Sequence, residues 1–201
     1  MKTLFIDRDG VINKDPGGWT RHEYVTELKD FHFLPGAIEA LALLNRNRVQ
    51  VIVVSNQAGI NKGFFTKDRL NEITSTMLAE IKKGGGNISE VFYCPHTNED
   101  NCKCRKPKPG MLEAAIRKYS VTARDTYMIG DGEMDILAGR LAGLSTILVL
   151  SGKTDMNGMK AWKVKPDYIF KDFLEAVKWL LVKERRKTER SRRREKEGRK
   201  R

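Results

Sequence analysis

The sequence predicts one α/β domain with a mainly parallel sheet and helices on both faces. Three observations point there. Short apolar, β-branched runs recur with helical stretches between them, as repeated βαβ units require. The first of these runs goes straight into a cluster of aspartates, and open α/β sheets place their ligands at the carboxyl ends of strands. The length of 201 residues suits a single domain with a core of its own, and neither an internal repeat nor a second domain is evident.

The elements follow in order. A strand is expected over Thr3–Asp7, and Pro35 starts a helix over Gly36–Asn45. Gln50–Ser55 is the next strand. Thr66 then caps a helix over Lys67–Lys82, which Gly84-Gly85-Gly86 ends. After the strand Glu90–Cys94, Pro109 precedes a helix over Gly110–Tyr119. The strand Tyr127–Gly130 leads to a helix over Met134–Ala142, ended by Gly143. Strands Ser145–Leu150 and Tyr168–Phe170 and a helix over Phe173–Val182 complete the body. Two stretches, Asn13–Phe33 and Pro95–Lys108, lack periodicity, and long irregular segments in compact domains are usually functional.

Composition narrows the setting. Hydrophobic residues make up 40% of the chain, and no apolar run approaches the ~20 residues that span a bilayer. The N-terminus enters a strand with no signal-peptide pattern, so a cytosolic protein with no membrane partner is expected. The formal charge is +12 but uneven: residues 183–201 hold twelve Lys/Arg and four Asp/Glu, a net +8. That tail has no apolar face to dock. It is expected to be a solvated helical extension or to lack structure, set apart from a domain over residues 1–182. Non-specific attraction of the tail to nucleic acid is the one nucleic-acid contact its charge suggests.

Four strand ends carry chemistry. The first supplies Asp7 and Asp9 in Asp7-Arg8-Asp9-Gly10-Val11. Alone, such a pair equally suits capping of the next loop; with a hard cation between them, one carboxylate can act as nucleophile and the other as acid/base. The second ends in Ser55-Asn56-Gln57-Ala58-Gly59, where a hydroxyl can donate to a phosphoryl oxygen, although Ser-Asn is also ordinary turn chemistry. The fourth ends in Gly130-Asp131-Gly132-Glu133-Met134-Asp135. Asp131 and Asp135 could merely favour a helix N-terminus, but beside Asp7 and Asp9 shared metal ligation explains them better. Between these, Arg105 and Lys106 precede a helix whose dipole they oppose, and an anionic phosphate explains that placement.

All three cysteines fall within eleven residues, Cys94, Cys102 and Cys104, and His96 joins them. Three thiols and an imidazole make a closed tetrahedral set, the form of structural Zn²⁺. In a cytosolic setting this grouping favours metal over disulfide. The polar Thr97–Asn101 would not hold its shape unaided, and a zinc clip would pin Arg105 and Lys106 over the site. His22 and His32 have no metal-spaced partners.

The order Asp-x-Asp-Gly-Val, Ser, Lys-Pro, Gly-Asp-x-x-x-Asp resembles the haloacid-dehalogenase superfamily of phosphotransferases, from residue 2 to about residue 150. With Cys-x-His…Cys-x-Cys-Arg-Lys-Pro it resembles the branch holding bacterial heptose 1,7-bisphosphate and histidinol-phosphate phosphatases. Lys106 to Met111, Lys-Pro-x-Pro-Gly-Met, looks like the heptose enzymes; the short spacing from His96 to Cys102 looks like the histidinol branch. The resemblance implies a single Rossmann-like domain, a zinc-stabilised loop and a hydrolase of carbohydrate metabolism; a monomer is expected. It implies Asp7 as nucleophile, giving an aspartyl-phosphate, and Asp9 as acid and then base. Mg²⁺ would be held by Asp7, the Asp9 main-chain carbonyl and Asp131, with Asp135 as ligand or in support. Ser55 and Lys106 would stabilise phosphoryl oxygens. Substrate contacts are implied for Asp15, Pro16, Gly17 and Gly18, for Ser55, Asn56, Gln57 and Ala58, and for Arg105 and Lys106. One departure stands out: family members usually carry Lys or Arg where this chain has Gly132, so a cation is missing there. Asn13–Phe33 is too short for a folded cap domain, which implies small phosphorylated substrates entering from solvent. Trp19 would flank the entrance or simply pack. Three rival readings remain: a histidinol-phosphate phosphatase, a nucleic-acid end phosphatase, and a binding module worked by the tail.

Overall fold

The computed structural model describes residues 1–198, with side chains through Arg190. Six strands form one sheet: β1 (Thr3–Ile6), β2 (Gln50–Asn56), β3 (Glu90–Cys94), β4 (Tyr127–Gly130), β5 (Ser145–Val149) and β6 (Tyr168–Phe170). Every pairing is parallel, in the order β3-β2-β1-β4-β5-β6. The helices are α1 (Ala37–Arg46), α2 (Lys67–Lys83), α3 (Gly110–Tyr119), α4 (Glu133–Leu141) and α5 (Phe173–Gly198).

Strand alternation explains why the apolar runs are continuous. Leu4, Ile6, Val51, Val53 and Ile129 point to the face covered by α1, α5 and the buried residues of α2. Phe5, Ile52, Val54 and Met128 point to the opposite face, against Met111, Leu112 and Ala115 of α3 and Ala138 of α4. Helix starts follow their sequence signals. Thr66 Oγ1 accepts from the Arg69 N–H (3.2 Å) at the start of α2, and Gly84 closes that helix.

The chain winds outward from β1 to β3 and then returns to the other side of β1 for β4. The strand order reverses between β1 and β4, where crevices form in open parallel sheets. Ile6 pairs with Ile129, and the Asp7 N–H donates to the Ile129 carbonyl (2.9 Å), so the two acidic strand ends lie side by side.

Asn13–Phe33 forms a closed loop rather than a cap. The Lys14 N–H donates to the His32 carbonyl (2.8 Å) and the Leu34 N–H to the Ile12 carbonyl (2.9 Å), so its ends meet. A 3₁₀ turn spans Leu28–Asp30, and Val25 is buried.

The last helix continues past Val182 to Gly198, the helical alternative expected for the tail, but its extension docks although it has no apolar face. The Lys183 ammonium lies 4.4 Å from the Tyr168 ring centroid, 4.6 Å from that of Trp179 and 5.3 Å from that of Tyr127, and it donates to the Tyr168 hydroxyl (2.9 Å). Glu184 takes the N-terminal ammonium, and Lys187 Nζ sits 2.5 Å from Asp125 Oδ1. Cation–π and ionic contacts hold what hydrophobic patterning could not foresee. Residues 199–201 of the expected tail lie outside the described residues. No described helix is long and apolar enough to cross a membrane.

Candidate active site

The turn after β1 carries Asp7, Arg8 and Asp9. Gly10 adopts φ +76°, and a Cβ there would collide with the Asp131 carboxylate. Arg8 turns inward and is fully buried; its guanidinium grips both Asp9 oxygens at 2.9–3.2 Å. Asn13 Nδ2 (2.8 Å) and Gln57 Nε2 (2.9 Å) also donate to Asp9. Asp9 thus accepts from three neighbouring side chains beside Asp7. Ser55, buried at the end of β2, accepts from Gln57 Nε2 (3.2 Å).

Lys106 enters from the loop before α3. Asn56 holds its backbone reciprocally: Asn56 Oδ1 accepts the Lys106 N–H and Asn56 Nδ2 donates to the Lys106 carbonyl, both at 3.0 Å. The ammonium is buried and donates to the Val54 carbonyl (2.9 Å), Asp7 Oδ2 (3.0 Å) and Asp135 Oδ1 (2.5 Å). Asp135 also accepts the Gly132 N–H through its other oxygen (3.1 Å), so it closes the start of α4 and faces the cluster at once.

Asp7, Asp131 and Asp135 each offer a carboxylate oxygen within 4.8 Å of the others. Two such charges 4 Å apart repel by ~4 kcal/mol in an environment of effective dielectric ~20, and the single ammonium of Lys106 cannot neutralise three. Burial, followed by the Asp135 and Asp7 charges, pushes Asp131 up to about 8. Burial also lifts Asp7 to about 6, against the pull of Lys106 and with Asp135 and Asp9 adding to it. Burial works against the Lys106 charge, but Asp135 and Asp7 overcome it and hold the ammonium firmly protonated. A cluster of carboxylate oxygens short of positive charge is the donor set that hard divalent cations such as Mg²⁺ take.

These groups open into a cleft of about 260 Å³. Of the residues singled out from sequence, Asp7, Asp9, Asp15, Pro16, Ser55, Asn56, Arg105, Lys106, Asp131 and Asp135 line it. Gln57 and Ala58 turn into the protein and are buried, and Gly17 and Gly18 lie outside the lining. Arg105 spends two donors on the cysteine loop, Nε to Asn98 Oδ1 (2.8 Å) and Nη1 to the His96 carbonyl (3.1 Å). Trp19 packs: its Nε1 donates to the Asp15 carbonyl (2.6 Å) and Lys14 covers its ring.

Several cleft residues escaped the sequence reading. His22 stacks on Phe64 with ring centroids 4.3 Å apart and joins Tyr24, Lys62 and Lys153 at the mouth. Arg8 and Asn13, which grip Asp9, gave no signal beyond their place beside the aspartates. Lys153 had an indirect one, the glycine at 132.

Cys94, His96, Cys102 and Cys104 converge as expected, their ligand atoms all within 4.8 Å of one another. Cys94 Sγ lies 3.2 Å from Cys104 Sγ and 3.7 Å from Cys102 Sγ, and His96 Nδ1 lies 3.3 Å from Cys104 Sγ. Tetrahedral zinc with ~2.3 Å Zn–S bonds implies S···S edges of ~3.7 Å, so the set fits. Burial, with the neighbouring thiols, pushes Cys94 up to about 12; Cys102, despite some burial, falls to about 7 because the Arg105 N–H and the other thiols donate to it.

Comparison with known proteins identifies the family. Residues 103–176 match the model of the HAD-hydrolase-like family. A D-glycero-beta-D-manno-heptose-1,7-bisphosphate 7-phosphatase of Neisseria meningitidis serogroup A is 39% identical over 153 residues, 76% of this chain and 79% of the relative. One from Helicobacter pylori strain 26695 is 33% identical over 178 residues, 88% and 98% of the two chains. The crystal structure of D,D-heptose 1,7-bisphosphate phosphatase from B. bronchiseptica, complexed with magnesium and phosphate, superposes with a TM-score of 0.82 at 33% identity, covering 91% of this chain and 99% of that one. Convergent acidic strand ends, one α/β domain and relatives matched over most of their length lead to one conclusion: the chain belongs to the heptose-1,7-bisphosphate phosphatase family of HAD-like phosphoric monoester hydrolases.

Proposed function

We propose that this chain removes the 7-phosphate of D-glycero-β-D-manno-heptose 1,7-bisphosphate through an aspartyl-phosphate on Asp7. The observation that carries the reading is the convergence of Asp7, Asp131 and Asp135, with Asp7 and Asp135 ion-paired to the ammonium of Lys106. In this reading an Asp7 oxygen attacks phosphorus in line, forming an O–P bond as the bond from phosphorus to the sugar C7 oxygen breaks. Asp9 gives its proton to that leaving oxygen. Water then attacks the aspartyl-phosphate, Asp9 takes the water's proton, and phosphate leaves with Asp7 restored. The grip of Arg8, Asn13 and Gln57 suits Asp9 to the second, accepting step. Donating a proton first requires release of part of that grip.

Asp7, Asp131 and Asp135, with the Asp9 carbonyl, would hold Mg²⁺, which when bound screens the carboxylates from the phosphate's charge and orients it. Lys106 and the Ser55 hydroxyl would stabilise the phosphoryl oxygens, with Asn56 holding the Lys106 backbone. Arg105 has Nη2 left over for the sugar or its distal phosphate. Cys94, His96, Cys102 and Cys104 would hold structural Zn²⁺. In this reading the enzyme works as a monomer in the cytoplasm.

A substrate panel tests the reading. With Mg²⁺ present, kcat/KM should be highest for the β-heptose bisphosphate, above its α-anomer, fructose 1,6-bisphosphate and histidinol phosphate. Histidinol phosphate as the best substrate would overturn the sugar assignment. Near-native turnover by Asp7→Asn would overturn the mechanism.

A further inference from the structure

The loop after β5 takes no part in the chemistry described so far, yet it is built against the site. The Ser151 hydroxyl donates to the Gly10 carbonyl (2.7 Å), tying the loop to the turn that carries Asp7 and Asp9. The Lys153 N–H donates to Asp131 Oδ2 (2.9 Å), tying it to the end of β4. Between these bonds the backbone of Gly152 lies so close to the Asp131 carboxylate that a Cβ would overlap it. The point at which the Lys153 side chain leaves the backbone is thus fixed from both sides.

From there the lysine stem crosses residue 132. A Cβ on Gly132 would lie 3.0 Å from Lys153 Cε and 3.5 Å from Nζ, so the lysine occupies the ground a side chain at 132 would claim. Gly132 has φ −136°, extended backbone open to any residue, so the turn itself does not demand glycine there. Lys153 lines the cleft. Lys106 already makes direct ion pairs with Asp7 and Asp135. Lys153, by contrast, is exposed and has no ion pair or hydrogen bond through its ammonium among the described residues. It is a charge aimed at the cleft with its donors free.

We propose that Lys153 is a phosphate-binding residue, donating to the oxygens of the phosphoryl group being transferred, and that the absent side chain at Gly132 is what lets it reach them. The inference deepens the phosphatase reading and rests on it for the reaction. A transferring phosphate monoester in this cleft sits among three carboxylates, where an additional mobile cation lowers the cost of bringing in a second set of negative charges.

Lys153→Met keeps the length and packing of the stem and removes only the charge. In the full chain with Mg²⁺, binding of inorganic phosphate, measured by calorimetry, should weaken on the order of 10–100-fold, as expected for loss of a charge-assisted hydrogen bond. Mg²⁺ affinity should hold or tighten, because a cation has left the carboxylate cluster. kcat/KM should fall by the same factor for heptose 7-phosphate and for the 1,7-bisphosphate. Unchanged phosphate binding would overturn the proposal. So would a loss confined to the bisphosphate, which would put Lys153 on the distal phosphate. If the wild-type protein bound phosphate in a Lys153-dependent way but turned over no heptose phosphate, the substrate reading would fail and the role of Lys153 would stand.

Discussion

Asp9 and Arg8 occupy adjacent positions and opposite environments. Asp9 reaches the cleft, whereas Arg8 is wholly buried, with Nη1 lacking any hydrogen-bond partner. Burying an arginine with an unsatisfied nitrogen is costly unless its partner stays charged, so the pair stands or falls together. Asp9→Asn should lower kcat by ~10²–10⁴-fold while phosphate binding, read by calorimetry, is kept. Arg8→Met should remove the pairing of a largely buried carboxylate and cost about 3–5 kcal/mol in urea unfolding. The sequence marked Asp7, Asp9, Asp131 and Asp135, because carboxylates at strand ends have few other reasons to recur. It did not mark Arg8, since nothing local separates a buried guanidinium from a surface one. For the same reason Gln57 looked like a cleft residue although its amide faces Asp9 from within.

At the scale of elements, the segment from Cys94 to Gly110 links two strands' worth of chemistry. The cysteine cluster, the Asn56 amide and the Gly110 N–H on the Lys103 carbonyl (3.1 Å) all brace the stretch that presents Arg105 and Lys106. Cys102→Ser should therefore do two things together. Bound zinc, by elemental analysis, should drop from about one per chain, and kcat/KM should fall although no group at the reacting phosphate was altered. A variant that keeps full activity without zinc would show that the amide clamp alone suffices. Every strand and helix was legible from apolar periodicity and caps, Thr66 being a clear instance. The ends that slipped did so by a residue or two, as where α4 starts at Glu133 rather than Met134. For helix α5 a helical extension was among the expectations, but its docking was not legible. Its extension carries no apolar stripe, and its anchors, Tyr127, Tyr168, Asp125 and the N-terminus, are distant in sequence.

Across the whole molecule, two reversals of the expected logic meet. The sheet changes winding direction between β1 and β4, which gathers the site at one edge-to-edge seam, and α5 closes the far side by returning to the N-terminus beside β1. The functional seam and the structural closure are thus separate, and truncation can part them. Removing residues 183–201 deletes Lys183 from its three aromatic rings, Glu184 from the N-terminal ammonium and Lys187 from Asp125. The Lys187 pair is about half exposed and contributes little; the partly buried cation–π contact and the terminal ion pair contribute the rest. Their sum is about 2 kcal/mol, read as a lower urea midpoint with the slope unchanged. Truncation after Arg190 keeps all three contacts and should leave the midpoint where it was. Neither cut touches the cleft, so kcat/KM should be the same for both shortened chains and the full one. Equal stability of the two truncated forms would mean that the domain already ends at residue 182, and collapse of turnover in either would assign the basic extension a part in the reaction.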